Sequence, residues 1–204
     1  MDRIDRLLIA LAIAYLAVVA LNISGSDLHS SANKVADGDV WLLLTSALNV
    51  VPELDVPQWL LLAASIAVVV WRSGPKLWWT VALTGHVGAA IISYAVIGLA
   101  VALGSGSADT TAGESDYGIS IVLAATLGAL AAGGFAVPAN RRDRADKTAI
   151  ILGLAGLAGM IAFSVGWYDM QHVIGYAIGF VLAGWLLERR TFAWNPRSSD
   201  DRDG

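Results

Sequence analysis

Cysteine is absent from this 204-residue sequence, and charged residues are scarce. The absence of cysteine excludes a disulfide framework and any metal site built on thiolates. Charged residues make up 15% of the chain and hydrophobic residues 56%, which lies far outside the composition of ordinary soluble domains. The mean hydropathy is +0.64. The composition therefore indicates an integral membrane protein.

The long apolar stretches lack the polar alternation of barrel strands, and most approach the roughly 17 to 25 residues that a helix needs to cross a bilayer. We therefore predict an all-α membrane protein. Six segments are predicted to span the membrane: 7–22, 58–71, 77–101, 118–137, 148–165 and 170–187. The second segment is short, and Pro57 is predicted to start its helix. Residues 1–190 are expected to form one membrane domain, and residues 191–204 a polar, disordered cytoplasmic tail.

The distribution of positive charge predicts the orientation of these segments, because short loops rich in Lys and Arg stay in the cytoplasm. With six spans, twelve of the thirteen basic residues lie on one side, and only Lys34 lies on the other. We therefore predict a multi-pass protein of the cell membrane with both termini in the cytoplasm. The first segment is expected to be retained as a span, since residues 22–26 offer no convincing small-residue cleavage site.

Two outer loops have distinctive compositions. The first, residues 23–57, is long and contains an apolar stretch, 40–48, that is too short to span and is expected to lie in the interface with Trp41 at headgroup depth. The second, residues 104–117, is rich in glycine and acidic residues and is expected to be mobile and to admit a molecule from the side.

Glycines recur at close spacing in the fourth and sixth segments. Small residues let helix backbones approach closely in lipid, and Gly175 with Gly179 forms the four-residue spacing that favours such contacts. The sixth segment is therefore predicted to pack tightly against a neighbouring helix.

The three histidines differ in their predicted depth. His29 lies in the first outer loop and is interpreted as a solvated residue. His86 lies nine residues from the inner end of the third segment, about 13 Å deep, and is predicted to be a buried polar brace to Ser93, Tyr94 or a facing helix. His172 lies near the outer end of the sixth segment, where an ionisable residue usually has a function or a polar partner.

Ser120 lies near the outer end of the fourth segment, at the depth predicted for His172. An imidazole that accepts the proton of a serine hydroxyl turns it into an effective nucleophile. Gly118 leaves room for an approaching backbone, and the N–H groups at the start of this helix point to the outer side, where an oxyanion needs donors. The pairing predicts an intramembrane serine hydrolase.

Two acidic residues lie close to this pair in the sequence. Asp116 is predicted to be the N-cap of the fourth helix. Asp169 lies three residues before His172 and is placed either to orient the imidazole or to cap the sixth helix, and capping is the preferred interpretation.

Three stretches of sequence resemble the rhomboid family of intramembrane serine proteases. They are GDVWLLLTSAL at 38–48, GIS at 118–120 and GWYDMQHVIGYAIGF at 166–180. His172, Gly175 and Gly179 match the HxxGxxxG motif that the family carries on its sixth helix, and Gly118 with Ser120 matches most of its GxSG motif.

The resemblance implies a six-helix rhomboid-like bundle with Ser120 as nucleophile and His172 as general base. Such an enzyme cleaves transmembrane protein substrates near the outer face of the lipid bilayer. No metal or cofactor is implied, and nucleic acid is not an expected partner.

The sequence departs from the family pattern at the positions that support an oxyanion. Ile121 replaces the second glycine of GxSG, where a bulky side chain is expected to crowd the substrate backbone. The second segment lacks the family's histidine and asparagine, and Leu42 replaces the arginine that usually follows the loop tryptophan. His86 and Asn49 are candidate replacement donors.

The departures leave two alternative hypotheses. One is a catalytically inactive relative that binds transmembrane segments. The other, which is less favoured, is a small channel or transporter with His86 on its path.

Overall fold

The computed structural model describes residues 2–21, 28–48, 56–116, 118–163 and 166–193. Within these ranges the chain is helical, apart from an isolated antiparallel bridge between Ser30 and Asp116. In chain order the α-helices are α1 (Arg3–Ala20), α2 (Ala32–Ala36), α3 (Leu42–Thr45), α4 (Val56–Ser73), α5 (Pro75–Ala102), α6 (Gly106–Ala112), α7 (Ile119–Ala136), α8 (Arg144–Phe163) and α9 (Asp169–Ala193). Asn49, the predicted span ends at residues 22 and 165, and residues 194–204 of the predicted tail lie outside the described ranges.

Among the described residues, five helices are long and apolar enough to cross a membrane: α4, α5, α7, α8 and α9. They overlap the second to sixth predicted segments, so the prediction of an all-helical protein with several helices able to span a membrane is confirmed. Residues 7–20 of the first predicted segment lie in α1, but this helix is not among the five, because its first turn carries Arg3, Asp5 and Arg6 and leaves an uncharged stretch of only residues 7–20. The count of six spans therefore stays a prediction. Pro57 lies in the first turn of α4, as predicted. Helix α9 continues to Ala193, three residues beyond the end predicted for the membrane domain.

Helix α7 forms the centre of the bundle. It is apolar on all sides, which is typical of a helix that lies in a protein core or spans a membrane. Helices α4, α5, α8 and α9 pack around it, and most of its residues are buried. By contrast, α8 exposes large apolar side chains such as Ile151 and Ile161, which is the surface expected of a helix that faces lipid.

The contact between α7 and α9 is close because glycines lie in it. A methyl group at Gly179 would overlap the main chain at Ala125, and one at Gly175 would press against the Ile121 side chain. The predicted tight packing of the sixth segment is therefore confirmed. Because residue 175 meets residue 121 and residue 179 meets residue 125, the two helices run in the same direction, and their first turns lie at the same end of the bundle.

Residues 28–48, the described part of the predicted first outer loop, pack onto the bundle. Its apolar stretch forms α3 and a 3-10 turn, Ser46–Leu48, and buries Leu42, Ser46 and Ala47. The Tyr15 hydroxyl of α1 donates to the Ala47 carbonyl at 3.1 Å. Trp41 is half exposed, which suits a residue at the edge of the bilayer.

The second outer loop contains a helix where the sequence predicts a mobile, glycine-rich segment. Ser105 caps α6 by accepting the Ala108 N–H at 3.3 Å, and Ala108 and Ala112 are buried against Tyr94 and Ile97 of α5. This segment therefore has local helical structure, while its expected mobility and its role in admitting a molecule from the side stay predictions. Its alanines form a short apolar face that a count of glycines and acids does not reveal.

Candidate active site

Ser120 and His172 are in hydrogen-bond contact. Ser120 Oγ lies 2.8 Å from His172 Nε2, and both side chains are half-buried. Ser120 is in the first turn of α7, and His172 is in the first turn of α9. The predicted proximity of the two residues is therefore found, while their catalytic roles stay predictions.

The Ile121 side chain does not lie where the second glycine of GxSG is expected to face the substrate. Its side chain is buried in the contact between α7 and α9, against Gly175. The side chain points into the helix interface, so this geometry does not support the expected crowding of a substrate backbone, which stays a prediction. Gly175 is the residue that makes room for it.

Asp169 lies on the far side of the histidine ring from Ser120. One carboxylate oxygen, Oδ1, is 3.9 Å from His172 Nδ1, and the other, Oδ2, accepts the Gly166 N–H at 2.7 Å. The carboxylate thus binds the backbone ahead of α9 and also faces the imidazole. This geometry is compatible with both roles that the sequence leaves open for Asp169, which are to orient the His172 imidazole and to cap α9.

His86 lies beside the start of the serine helix. Its ring packs against Gly118, where a methyl group would overlap it, and its Nε2 is 3.2 Å from Ser46 Oγ in the outer loop. The prediction that His86 and Ser120 lie at different depths is wrong, because counting residues along one helix does not fix its height against a neighbour. The predicted braces Ser93 and Tyr94 are also wrong, since the hydroxyl partner is Ser46.

The hydrogen bonds of the first turn limit the possible oxyanion donors. The Gly118 N–H donates to the Ser46 carbonyl at 3.1 Å, and the Ile121 N–H donates to the Gly118 carbonyl at 3.1 Å. These two amides are therefore engaged within the protein. His86 Nδ1 is buried and has no hydrogen-bond partner among the described residues. Asn49 lies outside the described residues.

Asp116 does not cap the serine helix, which is a correction to the sequence analysis. The N-cap of α7 is Gly118, and the buried Asp116 carboxylate accepts the Tyr94 hydroxyl of α5 at 2.6 Å. Tyr94 in turn shares a 2.6 Å hydrogen bond with Ser30, whose backbone pairs with that of Asp116. Burial raises the pKa of the Asp116 carboxyl. A capping rule considers only local partners, so it misses this long-range network.

Gln171 was not singled out from the sequence. It directly precedes His172, it is buried, and its amide lies next to the Asp116 carboxyl without a hydrogen bond of good geometry to any described residue. A glutamine directly before the motif histidine, at the start of an apolar segment, is a signal that the sequence does contain, since polar groups are seldom placed in a membrane interior without a polar neighbour.

A cavity of about 750 Å³ lies elsewhere. It opens between α4, the C-terminal end of α7 and α9, and its lining includes Arg72, Val137 and Glu188. This is the opposite end of α7 from Ser120. Among the described residues, no group of three histidine or acidic side chains is arranged to hold a metal ion.

Comparison with known proteins gives no relative. No family model, no curated protein and no solved structure matches this chain.

Proposed function

We propose that this chain is a rhomboid-like intramembrane serine endopeptidase of the cell membrane, with six spans and both termini in the cytoplasm. The single observation that carries the proposal is the 2.8 Å contact between Ser120 Oγ and His172 Nε2. It joins a hydroxyl and an imidazole within the first turns of two apolar helices, and this combination is the minimum machinery of serine-type hydrolysis.

In the proposed mechanism, Ser120 Oγ attacks the carbonyl carbon of a peptide bond while His172 Nε2 accepts its proton. His172 then donates this proton to the leaving amine. A water molecule, activated by the same imidazole, hydrolyses the acyl-enzyme and regenerates the serine. Each step uses Nε2, the nitrogen that already faces the hydroxyl.

The proposed substrate is a transmembrane protein that is cut near the outer end of its span. The two helices begin at the end of the bundle that is predicted to face outward by the charge distribution, so the reacting hydroxyl is close to that membrane surface. The exposed apolar side chains of α4 and α8 are suited to contact with lipid and with a substrate helix.

His86 is the proposed source of part of the oxyanion stabilisation. Its ring contacts Gly118, two residues before the nucleophile, and its Nδ1 is a buried polar atom without a partner among the described residues. Removal of one oxyanion donor typically lowers kcat by about a hundredfold to a thousandfold. The His86→Phe variant is therefore expected to retain the Ser120–His172 contact but to lose most of its activity.

A fluorophosphonate probe tests the assignment of the nucleophile. Purified protein in detergent is incubated with the probe, and covalent labelling is measured for the wild type, Ser120→Ala and His172→Ala. Labelling of the wild type alone supports the proposal. The matched control is Ser65→Ala, which removes a buried serine of α4 and should leave labelling unchanged.

One observation favours a second candidate, a catalytically inactive protein that binds transmembrane segments. The Ser46 carbonyl already accepts the Gly118 N–H, so this amide is not available to a substrate. The second candidate predicts that neither the wild type nor Ser120→Ala is labelled. It also predicts that both bind a transmembrane peptide in lipid nanodiscs with equal affinity.

A further inference from the structure

The imidazole of His172 has different neighbours on its two nitrogens. Nε2 faces the Ser120 hydroxyl at 2.8 Å, and Nδ1 faces the Asp169 carboxylate at 3.9 Å. Asp169 and His172 are three residues apart on α9, so they lie on the same side of the helix. The three side chains therefore form a line in which the imidazole separates the hydroxyl from the carboxylate.

We propose that Asp169 is a positioning residue, so that the site is a Ser120–His172–Asp169 triad. The inference rests on the proposed function, since a triad has a catalytic meaning only if Ser120 is the nucleophile. In this proposal the Asp169 carboxylate orients the His172 ring and also accepts the Gly166 N–H ahead of α9.

The position of the carboxylate is fixed independently of the histidine. Asp169 Oδ2 accepts the Gly166 N–H at 2.7 Å, and this bond holds Oδ1 on the side of the carboxylate that faces the ring. A carboxylate held in this way loses little further freedom when it interacts with the imidazole. The gap of 3.9 Å is longer than a hydrogen bond, so the interaction in this state is electrostatic, and apo active-site contacts often tighten when substrate binds.

The surroundings of Nδ1 determine which nitrogen carries the proton. The Asp169 carboxylate, which faces Nδ1 at 3.9 Å, is a hydrogen-bond acceptor. An acceptor on this side of the ring favours the tautomer with a proton on Nδ1. The lone pair then lies on Nε2, where it can accept the Ser120 proton.

Asp116 is the other charged group that acts on His172. It lies in the segment before α7, and its carboxylate already accepts the Tyr94 hydroxyl. Burial raises the pKa of the Asp116 carboxyl, so this group carries a negative charge less readily than an exposed acid does. Asp169, which is about one-third exposed, is therefore the better partner for a histidine that becomes charged during the reaction.

The Asp169→Asn variant distinguishes the hydrogen bond that the side chain accepts from Gly166 from the effect of its negative charge on His172. The amide oxygen of asparagine can still accept the Gly166 N–H, whereas the negative charge beside His172 is lost. We expect kcat for a transmembrane substrate in proteoliposomes to fall by about tenfold to a hundredfold, with KM and the melting temperature unchanged. Asp109→Asn, which neutralises an acid in the first turn of α6, is the matched control and should retain wild-type kcat. Wild-type kcat in Asp169→Asn would overturn the proposal and leave Asp169 as a cap.

The tautomer of His172 provides a readout that does not depend on activity. In ¹⁵N NMR spectra of histidine-labelled protein, assigned with His172→Asn, we expect wild-type His172 to carry its proton on Nδ1. In Asp169→Asn we expect a larger share of the Nε2-protonated form. An unchanged tautomer ratio would contradict the triad even in a protein without activity. Failure of the proposed function is a distinct result, because it would appear as absence of phosphonate labelling in the wild type.

Discussion

The imidazole ring of His86 packs against Gly118, the residue that begins the serine helix α7. The same imidazole contacts Ser46 Oγ, and the Ser46 carbonyl accepts the Gly118 N–H. The 3-10 turn Ser46–Leu48, helix α5 and the start of helix α7 therefore meet at one point, two residues before Ser120. The position of the nucleophile depends on this contact as well as on the pairing with His172.

Gly118→Ala is expected to be destabilising, because the added methyl group would overlap the His86 ring. Overpacking of a buried site typically costs about 1–3 kcal/mol. We expect a lower melting temperature in detergent and slower phosphonate labelling, since the ring and the first turn of α7 must move apart. A variant with wild-type melting and labelling would contradict the close contact between Gly118 and His86.

Ser46→Ala is expected to leave His86 Nε2 buried without its hydroxyl partner. A buried polar atom that loses its partner costs about 1–3 kcal/mol, and thermal unfolding would measure the loss. Ser93→Ala is the matched control, because the buried Ser93 hydroxyl has no partner among the described residues and its removal should be nearly neutral. Equal melting temperatures for the two variants would argue against the Ser46–His86 bond.

Gly179→Ala is expected to separate α9 from α7, because the new methyl group would meet the Ala125 main chain, which cannot rotate away. We expect a loss of about 1–3 kcal/mol and strongly reduced labelling of Ser120. Gly184→Ala lies further along the same helix, where no atom is within 4 Å of the position that the added methyl group would take, and it should be neutral or stabilising. Similar behaviour of the two variants would disprove the role assigned to Gly179.

Tyr94→Phe is expected to destabilise the protein more at high pH than at low pH. Burial raises the pKa of Asp116, so the folded state binds its proton more tightly than the unfolded chain does, and this contribution to stability is lost as pH rises through the raised pKa. The Tyr94 hydroxyl offsets the loss by donating to the ionised carboxylate. Without it, the melting temperature should fall further at about pH 8 than at about pH 5.

Tyr168→Phe is the control for this pH effect. The Tyr168 hydroxyl donates to the Glu114 carbonyl, which does not titrate, so its removal should cost a similar amount at both pH values. A Tyr94→Phe effect that is equally independent of pH would contradict the ionisation of Asp116 beside Tyr94.

The sequence by itself determined the membrane class, the approximate positions of the five long apolar helices and the proximity of Ser120 and His172. Hydropathy and helix length are local properties, so they can be obtained from residue order without knowledge of neighbours. The HxxGxxxG spacing also predicts close packing of this helix, because Gly175 and Gly179 lie on one side of it and let a neighbouring backbone approach.

The tertiary structure alone decided which partners the remaining polar residues have. Asp116 binds Tyr94 from another helix, His86 binds Ser46 from the outer loop, and Ile121 fills the space beside Gly175. Each of these contacts joins distant parts of the chain, and each depends on the tilt and height of one helix against another. Those quantities are fixed by packing over the whole bundle, because in a close-packed interior the position of each helix depends on all of its neighbours.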